Sequence, residues 1–346
     1  EATRRLLEQA GVPVAKGRVF SVNDQERALD YAEHIGFPVV IKPSAGLRGI
    51  GVVTDIESRG EMVDALKLYR RSEMGDDDFV VEEQVPGTDY RIVVIGGKVV
   101  ASGVREPASV IGDGRHNVAD LIEFKNRLRN KNPHLSSRLI KLSPAVEHQL
   151  TKAGLDYASV PEAGRKVVLA NSANLSVGGD SFEVTKELHP SIKELAVKAV
   201  ESVPGLGFCG RDMLIEDRTK PVWEQRVTVI ELNAHAAVGT VEYPMWGEPA
   251  PVSRTFFREA ATRAGMELPE STPEELTLDL AIKGKVTRVG YRRWLARLAR
   301  KLGVSGYVRN NGKNQVRAQA TGPADAVAAL AYAAAKGPQR AVPSSV

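Results

Sequence analysis

Short apolar runs that end in a charged side chain recur along this chain in a set order, and that order limits the folds open to it. Ile41-Lys42-Pro43 comes first, followed by the glycine-spaced loop Gly46-Leu47-Arg48-Gly49-Ile50-Gly51. A Lys at the end of a buried strand is held in place and can meet phosphate oxygens as a point charge. Neighbouring glycines let backbone N–H groups approach a polyphosphate. Next comes Val80-Val81-Glu82-Glu83-Gln84-Val85, with Asp89 and Arg91 beyond the turn Pro86-Gly87. A strand that ends in a carboxylate and exposes its backbone just beyond can bind an adenine edge, and a further carboxylate a turn away can accept from ribose hydroxyls. Last come Asp212, in Gly210-Arg211-Asp212-Met213-Leu214, and the pair in Glu231-Leu232-Asn233. Glu-x-Asn spacing puts both side chains on one face of an extended strand, and three oxygen donors of this kind suit Mg2+. Singly, each run also fits a plain structure: a hairpin loop, a solvated acidic strand end, a β-hairpin with polar ends. The ordered set is much harder to obtain by chance.

At 346 residues the chain exceeds one typical domain. Residues 280–346 carry a net charge of +12, with Asp325 their one acid, and the remainder carries −8. A shift of that size predicts a boundary near 270–280, and we divide the chain into 1–265, a Pro-containing linker 266–276, and 277–346. The basic segment suits a nucleic-acid surface, a small anionic ligand or a solvated face. No nucleic-acid motif accompanies it, which favours the last two. No apolar run approaches the ~18–20 residues of a membrane span. The single cysteine, Cys209, allows no internal disulfide, which suits a cytoplasmic setting. It lies in Gly207-Phe208-Cys209-Gly210 and reads as a buried, inert thiol.

Periodicity and turn residues predict helices over 3–10, 24–36, 57–71, 117–128, 191–203 and 251–264. They predict strands at 38–43, 52–53, 79–81, 212–215 and 227–231, and a hairpin over 91–105 that turns at Gly96-Gly97. Residues 106–170 show little periodicity. Beyond the linker the order is strand 277–286, helix 290–302, strands 305–309 and 314–320, and helix 324–335.

Residues 1 to about 265 resemble the ATP-grasp superfamily and, within it, the ligase domains of cyanophycin synthetase and bifunctional glutathione synthetase. The ordered set above carries the resemblance. So do Arg105-Glu106-Pro107-Ala108-Ser109-Val110-Ile111-Gly112-Asp113-Gly114, the stretch Ala173-Asn174-Leu175-Ser176-Val177-Gly178-Gly179-Asp180-Ser181-Phe182-Glu183-Val184-Thr185, and His189-Pro190. The resemblance implies an α+β ATP-grasp fold, two α+β subdomains sandwiching ATP, and roles for single residues. Lys42 would hold the ATP phosphates, with the loop containing Gly46, Gly49 and Gly51 closing over them. Glu82 would accept from the adenine amino group, the backbone at Glu83 and Val85 would meet the ring edge, and Asp89 would bind ribose. Arg91 would lie near the phosphates or the acyl phosphate. Asp212, Glu231 and Asn233 would hold two Mg2+ ions, and Asn174, Gly178 and Gly179 would line the place where acyl phosphate meets amine.

The implied reaction is in-line attack of a carboxylate on the γ-phosphoryl of ATP, then attack of an amine on the acyl phosphate, giving an amide, ADP and phosphate. Amino acids or short peptides are the implied substrates, and neither nucleic acid nor membrane is an implied partner; a homodimer is compatible with the reading. Two positions depart from the family pattern. Ala170 stands where relatives carry an Arg four residues before the Asn, so a cation facing the reacting phosphate is absent or supplied elsewhere. No Lys precedes Lys16, and the second phosphate-binding Lys of the relatives is expected upstream of Glu1.

Residues 277–346 read β-α-β-β-α, which predicts a ferredoxin-like α/β sandwich. Gly284-Lys285-Val286-Thr287-Arg288-Val289-Gly290-Tyr291-Arg292 joins a strand to a helix start, where backbone N–H groups cradle anions. With Gly306-Tyr307-Val308-Arg309-Asn310 and Lys336-Gly337-Pro338, this segment resembles acylphosphatase. The resemblance implies that Arg292 binds phosphate and Asn310 orients the attacking water. Thr287 and Arg288 replace the family's Gln and Gly, and the last family strand looks truncated after Val346. Two other readings stay open: an acyl phosphate hydrolase with a degenerate ATP-grasp half, and a nucleic-acid binder using the basic segment.

Overall fold

The computed structural model describes residues 2–44, 51–269 and 271–346, so Gly46 and Gly49 lie outside the described residues. The chain forms two compact units, Glu1–Gly265 and Met266–Val346.

The first unit opens with a four-stranded antiparallel sheet: β1 (Gly17–Phe20), β2 (Val39–Pro43), β3 (Val53–Ile56) and β4 (Phe79–Glu83), in the order β1-β4-β2-β3. Helices Gln25–Ile35 and Arg59–Arg70 bury Ala28, Leu29, Ala32, Met62 and Leu66 against Val39, Ile41, Phe79 and Val81 of the sheet. Strand alternation then sends Lys42 of β2 and Glu82 of β4 to the face away from those helices.

Next follow β5 (Thr88–Ile95), β6 (Lys98–Glu106), the short ribbon strands β7 (Ser109–Ile111) and β8 (Lys166–Val168), then β9 (Asp180–Glu183), β10 (Phe208–Ile215) and β11 (Val227–Asn233). Five of them form a second sheet in the order β11-β10-β5-β6-β9. One face of it is apolar: Tyr90, Ile92, Met213 and Ile215 pack with Ile192, Ala196 and Ala199 of helix Pro190–Glu201 and with Leu7 of the N-terminal helix. Residues 106–170 build a core of their own from Val110, Val118, Ile122, Leu150 and Val167, against which Ala170 packs. That core contains helices Val118–Lys131 and Pro144–Lys152. The second was not expected. It is short, and its start is set by Ser143, whose hydroxyl accepts from the Val146 N–H, followed by Pro at the first helical position.

Asp212 needs a correction. It does not begin a strand but sits inside the eight-residue β10, because Phe208–Arg211 continue the ladder to β5. Gly210 permits this, since a Cβ there would come within 2.4 Å of Ala236 Cβ. The same alternation turns Arg211 into the apolar face. Its side chain is fully buried, none of its three guanidinium nitrogens has a partner among the described residues, and burial pushes its pKa down to about 9. A buried unpaired charge costs stability. Arg211→Leu should therefore stabilise the first unit by about 2 kcal/mol at neutral pH. Arg211 titrates lower when folded than when unfolded, so its penalty is complete below about 9 and fades above it. The gain in thermal midpoint should accordingly be full at pH 7 and smaller at pH 10.

The second unit is a single antiparallel sheet of β12 (Glu275–Lys285), β13 (Ser305–Asn310), β14 (Gln315–Pro323) and β15 (Val342–Ser345), ordered β13-β14-β12-β15. Helices Tyr291–Lys301 and Ala324–Lys336 cover one face through Tyr291, Leu295, Val327 and Leu330. This is the ferredoxin-like order. The last strand, expected to be truncated, is short but present, and it pairs with β12.

Candidate active site

The polar face of the second sheet gathers residues from neighbouring strands by register. Arg91 of β5 stands opposite Asp212 of β10, and Asp212 opposite Glu231 of β11. Arg91 clamps the Asp212 carboxylate with both Nε and Nη2, the latter donating at 2.8 Å. The Nδ2 of Asn233 donates to Glu231 Oε1 at 2.6 Å. Two residues along β5, Asp89 accepts from Arg105 Nη2 at 3.1 Å. Burial, and then the charge of Asp212, push the Asp89 carboxyl above the usual carboxylate range. Its Oδ1 is buried without a hydrogen-bond partner, which leaves an acceptor for a hydroxyl. Asp89, Arg91, Asp212, Glu231 and Asn233 are thus brought together, with Arg105 as a member that the spacing of the sequence did not single out.

On the first sheet, Lys42 Nζ is paired with Glu82. No described hydrogen bond or ion pair joins these two to the cluster on the second sheet. Glu83 is tied to the approach to β1 and to Arg226 by its side chain and N–H. Its Oε1 accepts from the Lys16 N–H at 2.8 Å and pairs with Arg226 at 2.6 Å, while its own N–H donates to the Lys16 carbonyl at 2.8 Å. Val85 is buried at the link between β4 and β5. Of the loop glycines, only Gly51 falls among the described residues, with a positive φ of 77°.

Asn174 caps a short 3-10 turn, its Oδ1 accepting from Ser176 N at 3.0 Å. Gly178 and Gly179 are glycine for steric reasons. A Cβ on Gly178 would stand 2.5 Å from Ile140 Cγ1, and one on Gly179 would stand 2.9 Å from the Asn174 carbonyl. A buried network that the sequence did not reveal holds this turn. Arg129 is fully buried and donates to the carbonyls of Gly179 at 2.9 Å, Arg138 at 2.6 Å and Leu175 at 3.4 Å. It also meets Asp180, which Lys125 pairs at 2.5 Å. Lys125 and Arg129 lie one turn apart on helix Val118–Lys131. Despite the pairing, burial holds the Lys125 ammonium below its ordinary pKa.

In the second unit, Arg292 is exposed in the first turn of helix Tyr291–Lys301, and Asn310 is exposed at the end of β13. No described hydrogen bond connects them. The segment between β12 and the helix contains two left-handed residues, Arg288 (φ 60°) and Gly290 (φ 76°). A side chain at such a φ costs about 1 kcal/mol. Arg288→Gly should raise the stability of this unit by about that amount; an unchanged or lower midpoint in urea unfolding would contradict it.

Two carboxylates and an amide oxygen on adjacent strands fit a hard divalent cation that also holds phosphate. The acceptor at Asp89 and the cations Lys42 and Arg91 fit a nucleotide. Among the described residues no group of three His, Cys, Asp or Glu that could hold a metal ion is found.

Two family models and several known proteins match this chain. Residues 1–93 match the family model of the carbamoyl-phosphate synthase L chain, ATP binding domain, and residues 278–346 match that of acylphosphatase. Cyanophycin synthetase from Nostoc sp. is 37% identical over 256 residues, which covers 73% of this chain and 28% of the relative. The glutathione biosynthesis bifunctional protein from Clostridium perfringens is 35% identical over 251 residues, 71% of this chain and 32% of the relative. A crystal structure of a bifunctional glutathione synthetase from Pasteurella multocida superposes with a TM-score of 0.59 at 29% identity, covering 75% of this chain and 35% of that one. The chain spans about a third of the length of these relatives. No described helix is long and apolar enough to cross a membrane.

Proposed function

We propose that this chain, an ATP-grasp unit followed by an acylphosphatase-like domain, is a cytoplasmic ADP-forming ligase that activates a carboxylate as an acyl phosphate and joins it to an amine. The observation that carries the reading is the register of β5, β10 and β11, which sets Arg91, Asp212, Glu231 and Asn233 side by side with Asp89. Asp212, Glu231 and Asn233 would hold Mg2+, which when bound neutralises charge growing on the transferred phosphoryl group. Lys42 and Arg91 would fix the phosphate oxygens in line with the attacking carboxylate. Glu82, the backbone around Val85 and the free oxygen of Asp89 would seat adenine and ribose. The turn Asn174–Gly179, held from beneath by Arg129, would place the amine against the acyl carbon.

Carboxylate plus ATP gives acyl phosphate plus ADP. Acyl phosphate plus amine gives amide, phosphate and a proton. An amino acid or short peptide is the proposed carboxylate donor, in keeping with the relatives' names. ADP release screened over amino-acid pairs, with mass detection of the amide, tests the reading; no pair raising ADP release in a Mg2+-supplied reaction would refute it.

The second unit supports a companion activity. Arg292 would bind the phosphoryl group and Asn310 a water, so that an acyl phosphate which meets no amine returns to acid and phosphate. Arg292→Ala should slow hydrolysis of added acyl phosphate, and equal rates in both proteins would remove this role.

A further inference from the structure

Arg292, Arg293, Arg297 and Arg300 line one open groove with Ala296 of the same helix and Val308 of β13, with a volume of about 490 Å3. The helix, Tyr-Arg-Arg-Trp-Leu-Ala-Arg-Leu-Ala-Arg-Lys, carries no acid. The one acid of residues 280–346, Asp325, belongs to the other helix. Four arginines on one face without a carboxylate on their own helix raise its free energy by mutual repulsion, and the charge calls for an anionic occupant.

Spacing and backbone narrow the choice. Arg293 and Arg297 stand one turn apart, about 6 Å along the helix, and Arg292 and Arg300 extend the row in both directions. An extended peptide repeats its same-side side chains every ~6.7 Å. β13 ends the sheet and pairs with β14 only, so its outer edge is open among the described strands. An open edge accepts the main chain of an extended peptide. A nucleic acid would satisfy the charge alone. The groove holds no aromatic ring on which a base could stack, and alternation sends Tyr307 to the side of β13 opposite Val308.

We propose that this groove binds an extended acidic peptide, its carboxylates on Arg293, Arg297 and Arg300 and its main chain beside the free edge of β13. Its activated carboxyl group then reaches Arg292, which makes acyl phosphates of acidic peptides the substrate class of the second unit. The direction toward Arg292 rests on the proposed role of that residue; the binding itself does not.

The test is fluorescence anisotropy of a labelled octaglutamate with the whole chain at low salt, without ATP. Saturable binding that weakens with salt is expected, about tenfold weaker in Arg297→Glu/Arg300→Glu, as two reversed exposed contacts imply. The double variant should keep the ADP release of the first unit, so loss of peptide binding and failure of the ligase reading are separate results. Unchanged binding in the variant, or an octathymidylate bound as tightly as the peptide, overturns the proposal.

Discussion

Glu231→Gln should lower substrate-dependent ADP release by about a thousandfold while leaving thermal unfolding where it is. The loss is the size seen when one preorganised charge partner of a transition state is removed. Stability should hold because Glu231 is exposed and its one described bond comes from Asn233 Nδ2, which a glutamine oxygen can still accept. Asp212→Asn offers a contrast. Asp212 is buried and answers both guanidinium donors of Arg91, so neutralising it should lower activity and the melting temperature together. If Glu231→Gln keeps its activity within tenfold, the face shared by β10 and β11 is not where the phosphoryl group is stabilised.

Arg129→Ala should destabilise the first unit by about 4 kcal/mol, the cost of breaking one side of a buried charged network. In a unit of this size that is roughly a 10 °C fall in melting temperature. Its acceptors are the carbonyls of Gly179 and Leu175 and the Asp180 carboxylate, reached through buried bonds, and the part-buried carbonyl of Arg138. Lysine keeps the charge but not the planar fork, so Arg129→Lys should recover only part of the loss. The neighbouring Arg127 is exposed, pairs with Glu123 and lies over the Phe124 ring; Arg127→Ala should shift stability by less than about 0.5 kcal/mol. A melting temperature for Arg129→Ala within 2 °C of the parent would mean that the network is not formed in solution.

The strands that carry Lys42, Glu82 and Glu231 were legible because β-branched runs and glycine turns bracket them, and alternation then fixes which side chains share a face. Arg211 was not legible. A charged residue between Gly210 and Asp212 looks exposed, yet the extension of β10 back to Phe208 turns it inward. Nor were Lys125, Arg129 and Asp180. Asp180 lies more than 50 residues along the chain from Lys125 and Arg129, the two basic residues stand in a region whose apolar residues follow no single period, and only the folded packing of helix Val118–Lys131 against β9 discloses that the three meet. The ferredoxin-like unit was read nearly whole, because its two helices and its longer strands have strong local patterns. Its last strand looked truncated because four residues, Val-Pro-Ser-Ser, carry almost no strand signal.

Lys42 is held by Glu82, and Arg91 by Asp212. In the proposed role, an arriving triphosphate is therefore a rival of two carboxylates rather than a guest in a vacant positive pocket, and its apparent affinity is lowered by the work of parting them. Added salt loosens those internal pairs along with the nucleotide's own contacts. Affinity should thus decline more gently with ionic strength than two cations facing a triphosphate would suggest. Because Asp212 cannot give the same oxygens to Arg91 and to a divalent ion, whatever engages Asp212 makes Arg91 available. By reciprocity, nucleotide and ion should strengthen each other's binding by one common factor.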